Sequence, residues 1–177
     1  YFYPVEAYLL DLTLVAPTTL GPSLRAELAG PEPVNLLLSG ATLERMAAEA
    51  PESLAALRSA LEQGKAGLLG GGMDDAPLPL LPIEAVLENL RRGLAVFDRL
   101  LGRRPTVYAR RRFGLTPVLP QIVQSLGLEG AMHCTLDDGR FPSSNQSKVR
   151  WEGLDGTVIE ALARIPFDVT RADNFLR

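Results

Sequence analysis

The chain has 177 residues, 46% of them hydrophobic, and a formal net charge of −3. This balance excludes a generally basic nucleic-acid or anionic-membrane binder, no apolar run approaches the ~20 residues of a membrane span, and no signal peptide is visible. The length suits a single α/β domain over residues 1–177 with a core that needs no disulfide or structural metal; the lone Cys134 has no internal partner and leans towards a reducing, cytoplasmic compartment.

In chain order, Tyr8 to Val15 reads as a strand and Thr18 to Ala29 as a helix interrupted early by Gly21-Pro22. Pro31 and Pro33 bracket a turn. The apolar run Val34 to Leu38 has the character of a strand buried on both faces. A helical pattern starts near Ala41. Pro51 opens a second helix, with Leu54, Leu57 and Leu61 on one side and Gly64 at its end. Ala66 to Leu69 is another short buried strand, closed by Gly70-Gly71-Gly72 and then Met73-Asp74-Asp75.

Pro82 to Leu101 is the clearest helix, with Ile83, Val86, Leu87, Leu90, Leu94, Phe97 and Leu101 along one stripe and Gly102 as its stop. Thr106 to Ala109 predicts a strand, Pro117 to Leu126 a helix and Gly130 to Cys134 a strand. From Lys148 to Leu162 the period becomes two, with Asp155-Gly156 as a hairpin turn. Strands alternating with helices argue for a parallel sheet covered by helices, either a small open sheet or part of a barrel. In both, chemistry collects at the C-terminal ends of the strands.

Several clusters fall at those ends. The glycine run has the look of a phosphate loop, but it lacks Lys-Ser/Thr and the next helix starts about ten residues later, past Pro77, Pro79 and Pro82. It reads instead as a long flexible loop or as a sugar-contacting one, with Asp74 and Asp75 accepting from hydroxyls. Arg110-Arg111-Arg112, near Arg103 and Arg104, is either a surface basic turn or an anion clamp. His133 and Cys134 are adjacent on a strand and point to opposite faces, so they serve neither one metal nor a nucleophile pair. Asp137 and Asp138 are candidate acid/base carboxylates, although Asp138-Gly139 is also a good turn. Asp155 belongs to the hairpin loop.

Three of these segments, in this order, resemble glycoside hydrolase family 38, the α-mannosidases. The first is Gly71-Gly72-Met73-Asp74-Asp75, a glycine pair and an acidic loop after a strand. The second is Tyr108, then Arg111-Arg112-Phe113-Gly114 and Leu119-Pro120-Gln121-Ile122, where the family has an aromatic, an Asp-x-Phe-Gly and a similar helix. The third is Trp151-Glu152-Gly153-Leu154-Asp155-Gly156-Thr157, close to the Trp-Glu-Gly-Ile-Asp-Gly-Thr of bacterial members. The resemblance spans about eighty residues and implies part of a (β/α)7-type barrel of the glycoside hydrolase and deacetylase kind.

In the family an aspartate attacks the anomeric carbon and also binds a divalent metal, usually zinc, in a retaining mechanism. Here that position holds Arg111. The family's His-x-Asp metal pair on the first strand finds no counterpart in this reading, so no metal is expected. The resemblance leads to a catalytically degenerate relative that binds carbohydrate or an acidic sugar through Asp74, Asp75, Arg111 and Arg112. One alternative is an active glycosidase with its carboxylates relocated to Asp137 and Asp138. The other is a structural domain whose sheet edges are covered by self-association or by the remainder of a longer chain; a start at Tyr1 rather than methionine fits such a piece.

Overall fold

The computed structural model describes residues 8–13, 17–111, 115–132 and 148–162. Strand β1 (Tyr8–Asp11) is followed by a 3-10 turn at Pro17–Leu20, α1 (Pro22–Leu28), β2 (Val34–Leu38), α2 (Gly40–Glu49), α3 (Pro51–Glu62) and β3 (Ala66–Gly70). A second 3-10 turn at Leu78–Leu80 leads to α4 (Ile83–Leu101), β4 (Val107–Ala109), α5 (Leu119–Ser125), β5 (Gly130–Met132), β6 (Lys148–Glu152) and β7 (Val158–Leu162).

The strands form one sheet in the order β1-β2-β3-β4-β5-β7-β6. Neighbours from β1 to β5 are parallel, and only β6 and β7 run antiparallel. The hairpin joins this same sheet, because β7 pairs in parallel with β5. This order decides between the two architectures that the alternation of elements leaves open. Right-handed crossovers that always step to the next position put every helix on the same face. A doubly wound sheet needs a reversal of strand order, and there is none from β1 to β5.

The core follows that rule. One cluster packs α1 to α4 on β1 to β3 through Leu24, Leu36, Leu43, Leu57, Leu68 and Phe97. A second packs α4 and α5 on the later strands through Leu90, Leu94, Tyr108, Val123, Ala131 and Ile159. The opposite face carries a small apolar layer of Leu37, Leu69 and Ala109, with Leu9, Val107 and Met132 around it. A parallel sheet coated on one face is part of a β/α barrel, and the small layer is its lumen side.

Boundaries differ from the sequence reading where proline and glycine act. Gly21-Pro22 divides the first helical segment into a 3-10 turn and a helix with Pro22 in its first turn. Strand β1 ends at Asp11; residues 14–16 lie outside the described residues, as do His133 and Cys134. In the α4 stripe Val86, Leu90, Leu94 and Phe97 are buried, Leu87 and Leu101 are half-buried, and Ile83 in the first turn is exposed. Gly102 ends that helix in the left-handed conformation, as its sequence position predicts.

Candidate functional site

The C-terminal end of β3 is shaped by glycine. Gly70 has φ 132°, and a Cβ there would stand 2.2 Å from the Leu38 carbonyl oxygen, so the chain turns sharply with its backbone against β2. The loop that follows is held along its length. Gly72 O and Met73 O accept from Gly40 N at 2.9 Å and Ala41 N at 2.8 Å. The first N–H groups of α2 are thereby used by protein carbonyls and not offered to an anion. On its other side the loop meets α4. Met73 N donates to Asn89 O at 3.0 Å and lies 3.1 Å from Asn89 Oδ1, while Gly93 brings the helix backbone against Gly71 and Gly72. The expected long flexible loop is instead a clamped one.

This clamp positions the two aspartates differently. Asp74 Oδ1 accepts from Asn89 Nδ2 at 2.5 Å and from Ala76 N at 3.1 Å, tying the loop to α4. Asp75 turns towards β4, where its Oδ1 lies 3.2 Å from Arg110 Nη2. The same nitrogen donates to Ala76 O at 2.6 Å. The Arg110 side chain is only 10% exposed, so its charge is neutralised inside the structure rather than in solvent.

Arg111 takes the other side of the sheet. Ala109 belongs to the lumen layer and Tyr108 to the helix-side core, and the two arginines that follow continue this alternation. Arg111 Nη1 pairs with Asp11 Oδ2 at the end of β1, over the ends of β2 and β3. Side-chain exposures of 22% and 12% place both groups mostly out of water. The remaining Asp11 oxygen accepts from Thr13 N at 3.0 Å and Thr13 Oγ1 at 2.6 Å. The surface-turn reading of the arginine run fails for Arg110 and Arg111. Arg103 and Arg104 sit at the opposite end of β4, with Arg103 on the Leu61 carbonyl and Arg104 on Asp98.

Between the β3 loop and the ends of β2 and β4 is a cleft lined by Thr13, Ser39, Asp75, Asn89, Tyr108 and Arg110. A water-sized sphere has about 20 Å³ for its centre, room for one or two water molecules. The Tyr108 hydroxyl is buried there, and among the described residues it has no partner in hydrogen-bonding geometry. Burial raises its pKa, and the nearby Arg110 guanidinium offsets part of that rise. The Tyr108 ring lies 6.4 Å from that of Trp151, so the aromatic of the second motif meets the start of the third.

The third motif builds a turn. Asp155 accepts from Thr157 N at 3.1 Å and from Thr157 Oγ1 at 2.6 Å, and these bonds hold its carboxyl below the usual value. Leu154 N donates to Pro117 O at 3.0 Å, which docks the hairpin on the residues before α5. Asp155 is thus a turn residue, as its place in the hairpin predicts.

Of the sequence-derived candidates, the fold brings Asp75 together with Arg110 and places Arg111 nearby across the sheet, while Asp74 turns to Asn89. Arg112, Asp137 and Asp138 lie outside the described residues. The sequence reading passed over Asp11, Asn89 and the Tyr108 hydroxyl. A carboxylate within the apolar run from Tyr8 to Val15 was the available signal for Asp11.

A parallel sheet coated by helices on one face, with polar groups at the strand C-terminal ends, is a segment of a β/α barrel. The glycosyl hydrolases family 38 N-terminal domain matches residues 40–169, and the chain belongs to that family. No curated protein matches the sequence. Among solved structures, a 4-alpha-glucanotransferase from Thermococcus litoralis superposes with a TM-score of 0.68 at 18% identity, over 88% of this chain and 27% of that one. A protein in glycosyl hydrolase family 38 from Enterococcus faecalis gives 0.66 at 19% identity, over 94% and 19%. An alpha-mannosidase from Enterococcus faecalis V583 gives 0.60 at 23% identity, over 78% and 16%. These identities speak for the fold, and the chain spans roughly a quarter or less of each neighbour's length.

Proposed function

We propose that this chain is a catalytically degenerate family 38 domain that retains a carbohydrate-binding mouth at the strand C-terminal ends. The observation that carries degeneracy is Arg111. It stands at the motif position of the attacking aspartate and is engaged with Asp11. A guanidinium forms no glycosyl ester, and its positive charge opposes the oxocarbenium-like transition state of glycoside cleavage.

Sugar binding is supported by the cleft's mixture of donors and acceptors. Asp75 accepts, Arg110 donates, and Ser39, Thr13 and Tyr108 do both. The cleft admits one hydroxyl-sized group rather than a whole ring, so a sugar lies across its opening with a hydroxyl directed at Tyr108 and the Asp75–Arg110 pair. The ligand class favoured is neutral. Among the described residues at this mouth, an acidic sugar has to displace Asp75 from Arg110, or Asp11 from Arg111, before it gains a guanidinium.

Calorimetric titration with methyl α-mannoside, mannobiose and glucuronate tests this. Binding of the neutral sugars should weaken at least about tenfold in Asp75→Asn, the loss of a hydrogen bond to a charged group. Aryl-mannosides should release no product with or without zinc. Turnover abolished by Asp138→Asn would establish the relocated-carboxylate alternative. Glucuronate binding that disappears in Arg111→Ala would replace the neutral ligand by an acidic one.

A further inference from the structure

We infer that the Asp11–Arg111 pair replaces the divalent cation at this mouth, so that the domain carries its own fixed cation there and takes no metal. The resemblance to family 38 implies a metal held by a first-strand His-x-Asp and by the attacking aspartate. Leu9-Leu10-Asp11 ends the first strand with the same spacing, leucine standing for histidine. Leu9 packs in the lumen layer beside Leu37, Leu69 and Ala109 and supplies no nitrogen.

The residues present do not fit a metal. Asp11 has both oxygens in use, Oδ1 by the Thr13 backbone and hydroxyl and Oδ2 by Arg111. Its only counter-charge in that set is a guanidinium that stays protonated at any working pH. A divalent ion bound at Asp11 would have to displace that charge or sit against it in a partly buried place. Zinc sites draw three or four protein ligands to one point, and among the described residues no three His, Cys, Asp or Glu side chains gather in that way.

The substitution also has a mechanical result. A metal shared between the first strand and β4 would join their ends. Here the guanidinium makes that join, spanning the ends of β2 and β3. A chain that exchanges its aspartate for arginine at this point therefore keeps its mouth together without the ion. The inference rests on family membership and on this pair. A failure of the sugar titrations would leave it standing.

The test is metal content and stability of the full chain, using zinc and cobalt as probes. After equilibrium dialysis against either ion, the wild type should hold substoichiometric metal, and EDTA should leave its Tm unchanged. Asp11→Asn and Arg111→Met should each lower Tm, and the double variant should fall no further than the more damaged single variant. One equivalent of zinc per chain, lost in Asp11→Asn, would overturn the inference. Additive Tm losses would overturn it too, since the two side chains would then not act as one unit.

Discussion

Replacing Gly93 by alanine should destabilise the domain, although alanine is the better helix former. In an exposed helix interior this exchange gains about 1 kcal/mol. Gly93 lies in the middle of α4 and is buried against the β3 loop. A Cβ there would stand 2.3 Å from Gly71 O, 2.3 Å from the Gly72 carbonyl carbon and 2.5 Å from Met73 N. All three are backbone atoms, so no side-chain rotation relieves the overlap, and an ordinary contact needs about 1 Å more. The loop has little freedom to retreat, because Gly72 O, Met73 O and Met73 N are bonded to Gly40, Ala41 and Asn89.

Overpacking costs roughly 1–3 kcal/mol, and each backbone bond broken by the retreat adds about 1 kcal/mol. After the propensity gain the net loss is about 2–4 kcal/mol. For a chain of this size that lowers Tm by on the order of 5–10 °C. Thermal unfolding followed by circular dichroism measures it, with an exposed α4 substitution such as Arg91→Ala as the neutral comparison. An unchanged or raised Tm would mean that α4 and the loop do not meet as described, and the account of how Asp74 and Asp75 are positioned would fall with it.

Burial raises the Tyr108 pKa, so its contribution is present below the ~10 of an unfolded tyrosine and is lost as pH rises through the higher folded value. Tyr108→Phe should flatten the alkaline decline of Tm above about pH 10; an identical alkaline limb in both proteins would contradict the buried hydroxyl. Asp155 is held low by Thr157, so its contribution is present above the ~4 of an unfolded aspartate and disappears as pH falls through the lower folded value. Asp155→Ala should lose the corresponding part of the acid limb, and a wild-type acid limb in the variant would dismiss the turn bonds. Phe97 is fully buried between α4 and the sheet, and Phe97→Ala should cost about 3–5 kcal/mol in denaturant unfolding; a loss below about 1 kcal/mol would mean the core closes over the cavity.

What the sequence determined by itself was local. The order of strands and helices follows from the spacing of apolar residues, the stop at Gly102 from glycine's access to left-handed backbone, and the turn at Asp155-Gly156 from its composition. The likeness of the three motifs to family 38 set Arg111 against that family's attacking aspartate as an expectation from sequence alone. Tertiary structure decided which side chains meet. Asp11 and Arg111 are one hundred positions apart, and the pairing of distant strand ends is not a property of either segment. Strand alternation assigns Arg110 and Arg111 to opposite sides, but only the position of each partner turned one towards Asp75 and the other towards Asp11. The closeness of α4 to the β3 loop likewise depends on a missing Cβ at Gly93, which sequence alone reads as a weak point in a helix. A run of three arginines looked like one charged feature; for Arg110 and Arg111 the fold makes two ion pairs of it, because burying a guanidinium requires a carboxylate, and the β3 loop supplies Asp75 to one while the end of β1 supplies Asp11 to the other.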